Sequence, residues 1–125
     1  MLHEKSQPLI SYLDGVTEYF APKVIGEVND VYVKVARVKG DAIPWHSHTH
    51  EDELFYIIDG ELEMSLEGRQ PFVMQKGDVF VVKCGITHRI DAAEECLIML
   101  IENKATKHTG EVQTEITRSV AEQLR

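Results

Sequence analysis

The sequence has little cysteine and few positive charges, and each shortage excludes a class of protein. Among its 125 residues are only two cysteines, Cys84 and Cys96, whose spacing fits neither a disulfide scaffold nor a zinc-binding pair. Both are expected to be free thiols. The 13 Lys and Arg are outnumbered by 21 Asp and Glu, and the net charge of −8 argues against nucleic acid or an anionic membrane as a partner.

Long apolar segments are also absent. The longest such run, residues 96–101, is far shorter than the about 20 residues of a membrane-spanning helix. Residues 1–10 lack the continuous apolar stretch of a secretion signal. We therefore expect a soluble, cytoplasmic protein. Its length and its 43% hydrophobic residues predict a single domain over residues 1–125 with a core of its own.

Short apolar stretches separated by glycines indicate a β protein. Several of these stretches are rich in β-branched and aromatic residues and alternate with period two: residues 31–38, 54–58, 62–66 and 79–82. Many short strands with regular turn signals are typical of an all-β sandwich or barrel. Because Asp59-Gly60 is a favoured type I′ turn sequence, we expect a hairpin at this point.

Two further segments bear on how the chain packs. Residues 96–101 are apolar at every position, which predicts a strand covered on both faces, by the core on one side and by a second subunit on the other. Residues 117–125 carry Val120, Ala121 and Leu124 at helical spacing, which predicts a short C-terminal helix. So short a helix is stable only when it packs against the rest of the protein.

Histidines carry the strongest chemical signal. His46, His48 and His50 lie close together, and on an extended strand alternate residues such as His46 and His48 project to the same side. Glu53 follows at the start of the next predicted strand, and His88 could complete a set of four ligands. Three imidazoles and one carboxylate suit Fe, Mn, Ni, Zn or Cu better than calcium or magnesium. We therefore predict one divalent transition metal.

Two alternative ligands remain open at this point. His50 continues the alternate spacing and could replace His48 or act as a base beside the metal. Glu51 rivals Glu53 as the carboxylate ligand. The other histidines, His3 and His108, have no motif around them and are predicted to lie at the surface.

The spacing of these residues resembles the first motif of the cupin family, which asks for Gly, five residues, His, one residue, His, three or four residues, Glu, six residues and Gly. The sequence matches every fixed position with Gly40, His46, His48, Glu53 and Gly60. The ligand set His46, His48 and Glu53 agrees with this motif, which passes over His50.

The second cupin motif is matched in part. Gly77, Gly85 and His88 stand at its fixed positions, whereas Lys83 replaces a proline and Ala92 replaces an asparagine. Neither replaced residue is a metal ligand in the family. The two motifs, at residues 40–60 and 77–92, occur in the family's order. The chain therefore resembles a small single-domain cupin.

This resemblance implies a double-stranded β-helix, a small jelly-roll barrel with the metal in its mouth. It does not fix one reaction, because cupins include oxygenases, isomerases, storage proteins and regulatory domains. We expect a metal-dependent enzyme, oxygenase or isomerase-like, that acts on a small polar molecule; a non-catalytic binding or sensing module is the alternative. No catalytic residue is assigned from the sequence. Because small cupins commonly pair, the resemblance also implies a homodimer.

Overall fold

The computed structural model describes residues 5–106, 108–110 and 117–124. Within them the chain forms seven strands, a 3₁₀-helix and one short α-helix, in this order: 3₁₀-helix Leu9–Leu13, β1 Lys23–Val28, β2 Val31–Gly40, β3 Glu53–Asp59, β4 Glu61–Leu66, β5 Phe72–Gln75, β6 Val79–Val82, β7 His88–Asn103 and α1 Val120–Gln123. Across the described ranges, no helix has the length and apolar character needed to cross a bilayer.

Strand β7 organises the fold. Its first residues, 88–91, pair with β4, and its later residues pair with β2 on one side and β3 on the other. The strand order is β1-β2-β7-β3-β6, with β5 added beside β4, and these pairings are all antiparallel. Because β7 passes from one sheet into the other, it joins the two sheets into one barrel. The predicted all-β jelly roll is confirmed.

The barrel interior is filled by alternate residues of the strands. Phe55 and Ile57 of β3 face the same apolar core as Met64 of β4 and Ile98 and Leu100 of β7. This is the period-two pattern expected of strands that present one face to a core. The interior is therefore apolar along most of its length, which makes the polar residues at one end of it conspicuous.

The apolar run 96–101 is covered on both faces within one chain. Leu97 and Met99 point away from the barrel interior and pack in a second apolar cluster with Leu13 and Val35. Leu13 ends the N-terminal 3₁₀-helix, so that helix supplies the cover that the sequence analysis assigned to a second subunit. The homodimer stays a prediction, but this strand no longer requires it.

The predicted hairpin at Asp59-Gly60 is wrong, although both flanking strands exist. Strands β3 and β4 are paired with β7 in different sheets and not with each other. Gly60 has a φ of 87°, and a Cβ at this position would lie 2.8 Å from the carbonyl oxygen of Glu95. The glycine is required because the chain turns a corner against β7 there, and the short-range turn signal cannot tell a corner from a hairpin.

The C-terminal helix is confirmed, and its start has a local cause. The backbone N–H of Ser119 donates to Glu122 Oε1, and the N–H of Glu122 donates to Ser119 Oγ, both at 3.1 Å. This reciprocal pair is a capping box, which stops the helix from extending toward Thr117. The predicted helix reached Arg125, which lies outside the described residues.

Candidate metal centre

The backbone brings the two cupin-like motifs together. The N–H of His46 donates to the carbonyl of His88 at 3.1 Å, and the N–H of His88 donates back at 2.9 Å. The N–H of Gly85 donates to the carbonyl of His48 at 2.8 Å. His46 and His48 therefore lie in an irregular segment held against the start of β7, and not on the extended strand that the sequence analysis assumed.

Four buried side chains converge at this junction. His46, His48, Glu53 and His88 are 8%, 4%, 5% and 0% exposed. Each offers one ligating atom, and these atoms all lie within 4.8 Å of one another. The imidazole rings have centroids 4.4 to 5.8 Å apart. The four residues predicted from sequence thus form one cluster that could hold a metal ion.

Hydrogen bonds fix the tautomers of two of these histidines. Nδ1 of His46 lies 2.9 Å from the carbonyl oxygen of Pro44, and Nδ1 of His88 lies 3.0 Å from that of Ile86. Because a carbonyl oxygen only accepts, each Nδ1 carries the proton and each neutral ring keeps a lone pair on Nε2. Such hydrogen bonds orient imidazoles that bind metals.

The donor set fits a cation. Nε2 of His88 lies 3.3 Å from Oε1 of Glu53, and in its neutral tautomer it has no proton to donate to that oxygen. Nε2 of His48 is 3.7 Å from the same oxygen, too long for a hydrogen bond, and is buried without a partner among the described residues. Lone pairs that face one another in a buried site are satisfied together by a metal ion.

Burial keeps the site in the form that binds a metal. Desolvation, partly opposed by the hydrogen bond to Pro44, lowers the pKa of His46 to about 4, so the ring is neutral at pH 7. Burial raises the pKa of Glu53, but the contacts with Glu102, His48 and His88 outweigh it and hold that pKa well below its ordinary value. A neutral imidazole and an ionised carboxylate are the protonation states that ligate metals.

A buried charge network behind Glu53 was missed by the sequence analysis. Glu102 is the register partner of Glu53 on β7, and the Nζ of Lys34 lies 2.7 Å from Oε1 of Glu102. Burial and the neighbouring carboxylate of Glu53 raise the pKa of Glu102 well above its ordinary value. The two carboxyl groups are therefore coupled, with the charged form of Glu53 favoured and that of Glu102 disfavoured. A signal existed, because Lys34 and Glu102 interrupt apolar alternation at interior positions.

A cavity adjoins the cluster. The cavity is small, and the space in it that the centre of a water molecule can reach is about 30 Å³. His46, Glu53 and His88 lie at its polar end, and its wall is otherwise mainly apolar, formed by Phe20, Pro22, Ala36, Val38, Ile43, Phe55, Ile90, Ile98 and Leu100. A small molecule held in this cavity would touch the candidate ligands.

His108 is half-buried and also lines the cavity, so its predicted place at the surface holds only in part; His3, for which the same was predicted, lies outside the described residues. Residues 108–110 lie against the loop of His46, and Gly110 makes this possible with a φ of 60°. A Cβ on Gly110 would lie 2.3 Å from the carbonyl oxygen of Ser47. The long sequence separation between His108 and both motifs left no local signal for this contact.

The alternative ligands lie outside the cluster. His50 is exposed, and Glu51, which is half-buried, is absent from the group of converging ligating atoms among the described residues. Cys84 is exposed and Cys96 is buried, and both are free thiols as expected. The spacing of the first motif thus selected the residues that the fold brings together.

Comparison with known proteins agrees with the fold. The cupin domain model of the cupin-2 family matches residues 34–102. An uncharacterized protein of Bacillus subtilis strain 168, YdbB, is 31% identical over 100 residues, which cover 80% of this chain and 88% of that protein. The family match covers both motifs, at residues 40–60 and 77–92.

Solved structures share the fold. A cupin-2 domain protein from Shewanella frigidimarina is 32% identical, with a TM-score of 0.74 over 78% of this chain and 93% of that one. A putative sugar phosphate isomerase from Acidithiobacillus ferrooxidans is 17% identical, with a TM-score of 0.59 over 69% of this chain and 60% of that one, and shows likeness of fold alone. From its family match, its relatives and its barrel, the chain belongs to the cupin-2 family.

Proposed function

We propose that this cupin is a metal-dependent enzyme that binds one divalent transition metal through His46, His48, Glu53 and His88. The observation that carries the proposal is the convergence of four buried ligating atoms within 4.8 Å at the polar end of an apolar cavity. A metal bound there would polarise an oxygen atom of a substrate or lower the pKa of a bound water.

The residues around the centre prepare it for this chemistry. The carbonyls of Pro44 and Ile86 hold the rings of His46 and His88 with Nε2 free. The carboxylate of Glu53 supplies negative charge, and the apolar wall limits access of water, which strengthens electrostatic interactions inside the cavity. These groups would hold a divalent cation and offset part of its charge.

The cavity favours a small substrate without a phosphate group. Its described lining contains no Lys or Arg, so a phosphate would lack the side-chain cations that usually bind it. The limited space and apolar wall suit a small carbonyl, hydroxy-acid or enediol compound. We propose an oxygenase or an isomerase-like reaction on such a molecule.

The proposal is tested by metal analysis followed by a turnover screen. Protein purified without added metal, and then reconstituted with iron, manganese, nickel or zinc, should hold about one metal per chain. Oxygen consumption and product formation are then measured with small oxygen-bearing compounds. Glu53→Gln should abolish turnover, whereas the matched control Glu51→Gln should retain it, because Glu51 lies outside the cluster.

Two outcomes would contradict the proposal. A metal content near zero after reconstitution would reject the metal centre. Binding of a small molecule at the loaded centre without product or oxygen consumption, over many equivalents and with every metal, would reject the enzyme in favour of a sensing or binding module.

We also propose that the chain forms a single cupin domain over residues 1–125, assembles as a homodimer and acts in the cytoplasm. The exposed Val79 and Val81 of β6 support the homodimer, because β6 is the last strand of its sheet and leaves one edge for pairing. Light scattering that finds a monomer at micromolar concentration would reject this assembly.

A further inference from the structure

A histidine that lines the cavity carries a buried nitrogen without a hydrogen-bond partner in the described part of the chain. His108 lines the same cavity as His46, Glu53 and His88. Its Nε2 is buried, and no described residue makes a hydrogen bond to it. Because buried polar atoms are nearly always paired, an unpaired one at a cavity wall indicates a place for a ligand atom.

The hydrogen bond on the other side of the ring identifies Nε2 as a donor. The backbone N–H of Arg118 donates to Nδ1 of His108 at 2.9 Å, so Nδ1 uses its lone pair. The proton of the neutral ring must then lie on Nε2. Burial, aided by the positive charges of Lys34 and Arg118, lowers the pKa of His108 to about 4, which keeps the ring neutral at pH 7.

The segment that carries His108 is held against the metal-binding loop. Gly110 packs so closely on Ser47 and His46 that a Cβ would lie 2.3 Å from the Ser47 oxygen and 3.1 Å from Cδ2 of His46. The hydroxyls of Thr109 and Thr117 are 2.7 Å apart, which ties the segment to the residues before α1. The contacts of Thr109 and Gly110 therefore fix the position of His108.

We propose that Nε2–H of His108 donates a hydrogen bond to an oxygen atom of the small molecule bound at the metal centre. The inference rests on the metal centre of the proposed function and adds a preference for one class of ligand. A ligand that keeps an acceptor oxygen beside its coordinating atom, such as a carboxylate or a hydroxy-ketone, would bind more tightly than one with a single donor atom.

The test uses cobalt-loaded protein and two probes that change its visible spectrum. Acetate can coordinate through one oxygen and accept from His108 through the other, whereas pyridine has only its coordinating nitrogen. His108→Leu should weaken acetate binding about 10- to 100-fold, the range for a hydrogen bond to a charged group, and leave pyridine binding within about threefold. His108→Gln, whose amide N–H can reach the position of Nε2, should restore most of the acetate affinity.

Controls separate a direct contact from a structural effect. His50→Leu removes an exposed histidine near the same site and should leave both affinities unchanged. Cobalt content should be the same in all variants, because His108 is outside the ligating cluster. If His108→Leu does not fold, His108→Gln and nitrogen NMR of the unmodified protein still test the hydrogen bond. The NMR spectrum should show the proton of His108 on Nε2 and a shift of that proton when acetate is added.

The outcomes distinguish this inference from the proposed function. Failure of the unmodified protein to bind cobalt would overturn both. Normal cobalt binding with equal acetate affinity in the unmodified protein and His108→Leu would overturn the role of His108 alone. Equal losses for acetate and pyridine, or a proton found on Nδ1, would also overturn it.

Discussion

Replacing Lys34 by methionine is expected to destabilise the metal-free protein strongly. The Nζ of Lys34 lies 2.7 Å from Oε1 of Glu102, and the two side chains are only 1% and 3% exposed. Removing one partner of a buried ion pair leaves an uncompensated charge and costs about 3–5 kcal/mol. Since the free energy of unfolding of a domain is about 5–15 kcal/mol, the substitution should remove a large fraction of the stability.

Lys83→Met is a matched control for this variant. Nζ of Lys83 lies 2.8 Å from Oδ2 of Asp52, but these side chains are 68% and 45% exposed, so water screens the pair. Urea unfolding followed by circular dichroism, with a chelator present, measures both variants. The Lys83→Met midpoint should stay unchanged. A loss below about 1 kcal/mol in Lys34→Met would refute the reasoning, because it would mean that the buried charge is compensated in another way.

Lys34→Met should bind metal more tightly than the unmodified protein does. In the loaded protein the metal supplies positive charge beside Glu53, so the loss of the Lys34 ammonium should cost less than it does in the metal-free form. Lys34→Met thus destabilises the metal-free protein more than the metal-loaded protein. By linkage, the difference between these two free energies raises the metal affinity, about tenfold for each 1.4 kcal/mol. Chelator competition measures the affinity, and weaker binding by Lys34→Met would contradict the prediction.

Three further predictions follow from the site and its surroundings. His48→Ala should lower metal affinity far more than His50→Ala, as measured by chelator competition, since only His48 lies in the cluster. Met99→Glu should lower stability without changing the mass found by light scattering, because Met99 packs on its own N-terminal helix. The metal-free protein should lose about 3 kcal/mol through His46 as pH falls from about 6.5 to 4, since the unfolded chain binds the proton more readily. His46→Gln should make the urea midpoints less dependent on pH across that range without flattening them, because the pKa of His108 is also lowered to about 4.

The fold and the four candidate ligands could be predicted because their signals are local. Period-two alternation shows which residues of β3 and β7 face the core, and the spacing of His46, His48 and Glu53 is that of a known motif. The sequence could not show how strands pair. Gly60 therefore indicated a hairpin, although the register of β7 places the flanking strands in different sheets.

What sequence reasoning missed depends on contacts between distant parts of the chain. Lys34 and Glu102 meet because β2 pairs with β7, and His108 reaches the cavity because Gly110 lets the chain approach Ser47. Neither contact has a short-range signature. A lysine and a glutamate at interior positions of otherwise apolar strands were the available clue, since such groups are almost never buried unless they are paired.

Replacing both members of the buried pair separates stability from function. The double variant Lys34→Met and Glu102→Leu should recover most of the stability lost in Lys34→Met, because apolar residues of similar volume often replace a buried ion pair without cost. Its metal affinity should differ from that of the unmodified protein, because Glu53 then lacks the carboxyl neighbour that holds its pKa low. Urea unfolding and chelator competition measure the two quantities on the same samples. A double variant as unstable as the single one would contradict this expectation, because it would show that the charge left in the core without Lys34 belongs to Glu53 and not to Glu102.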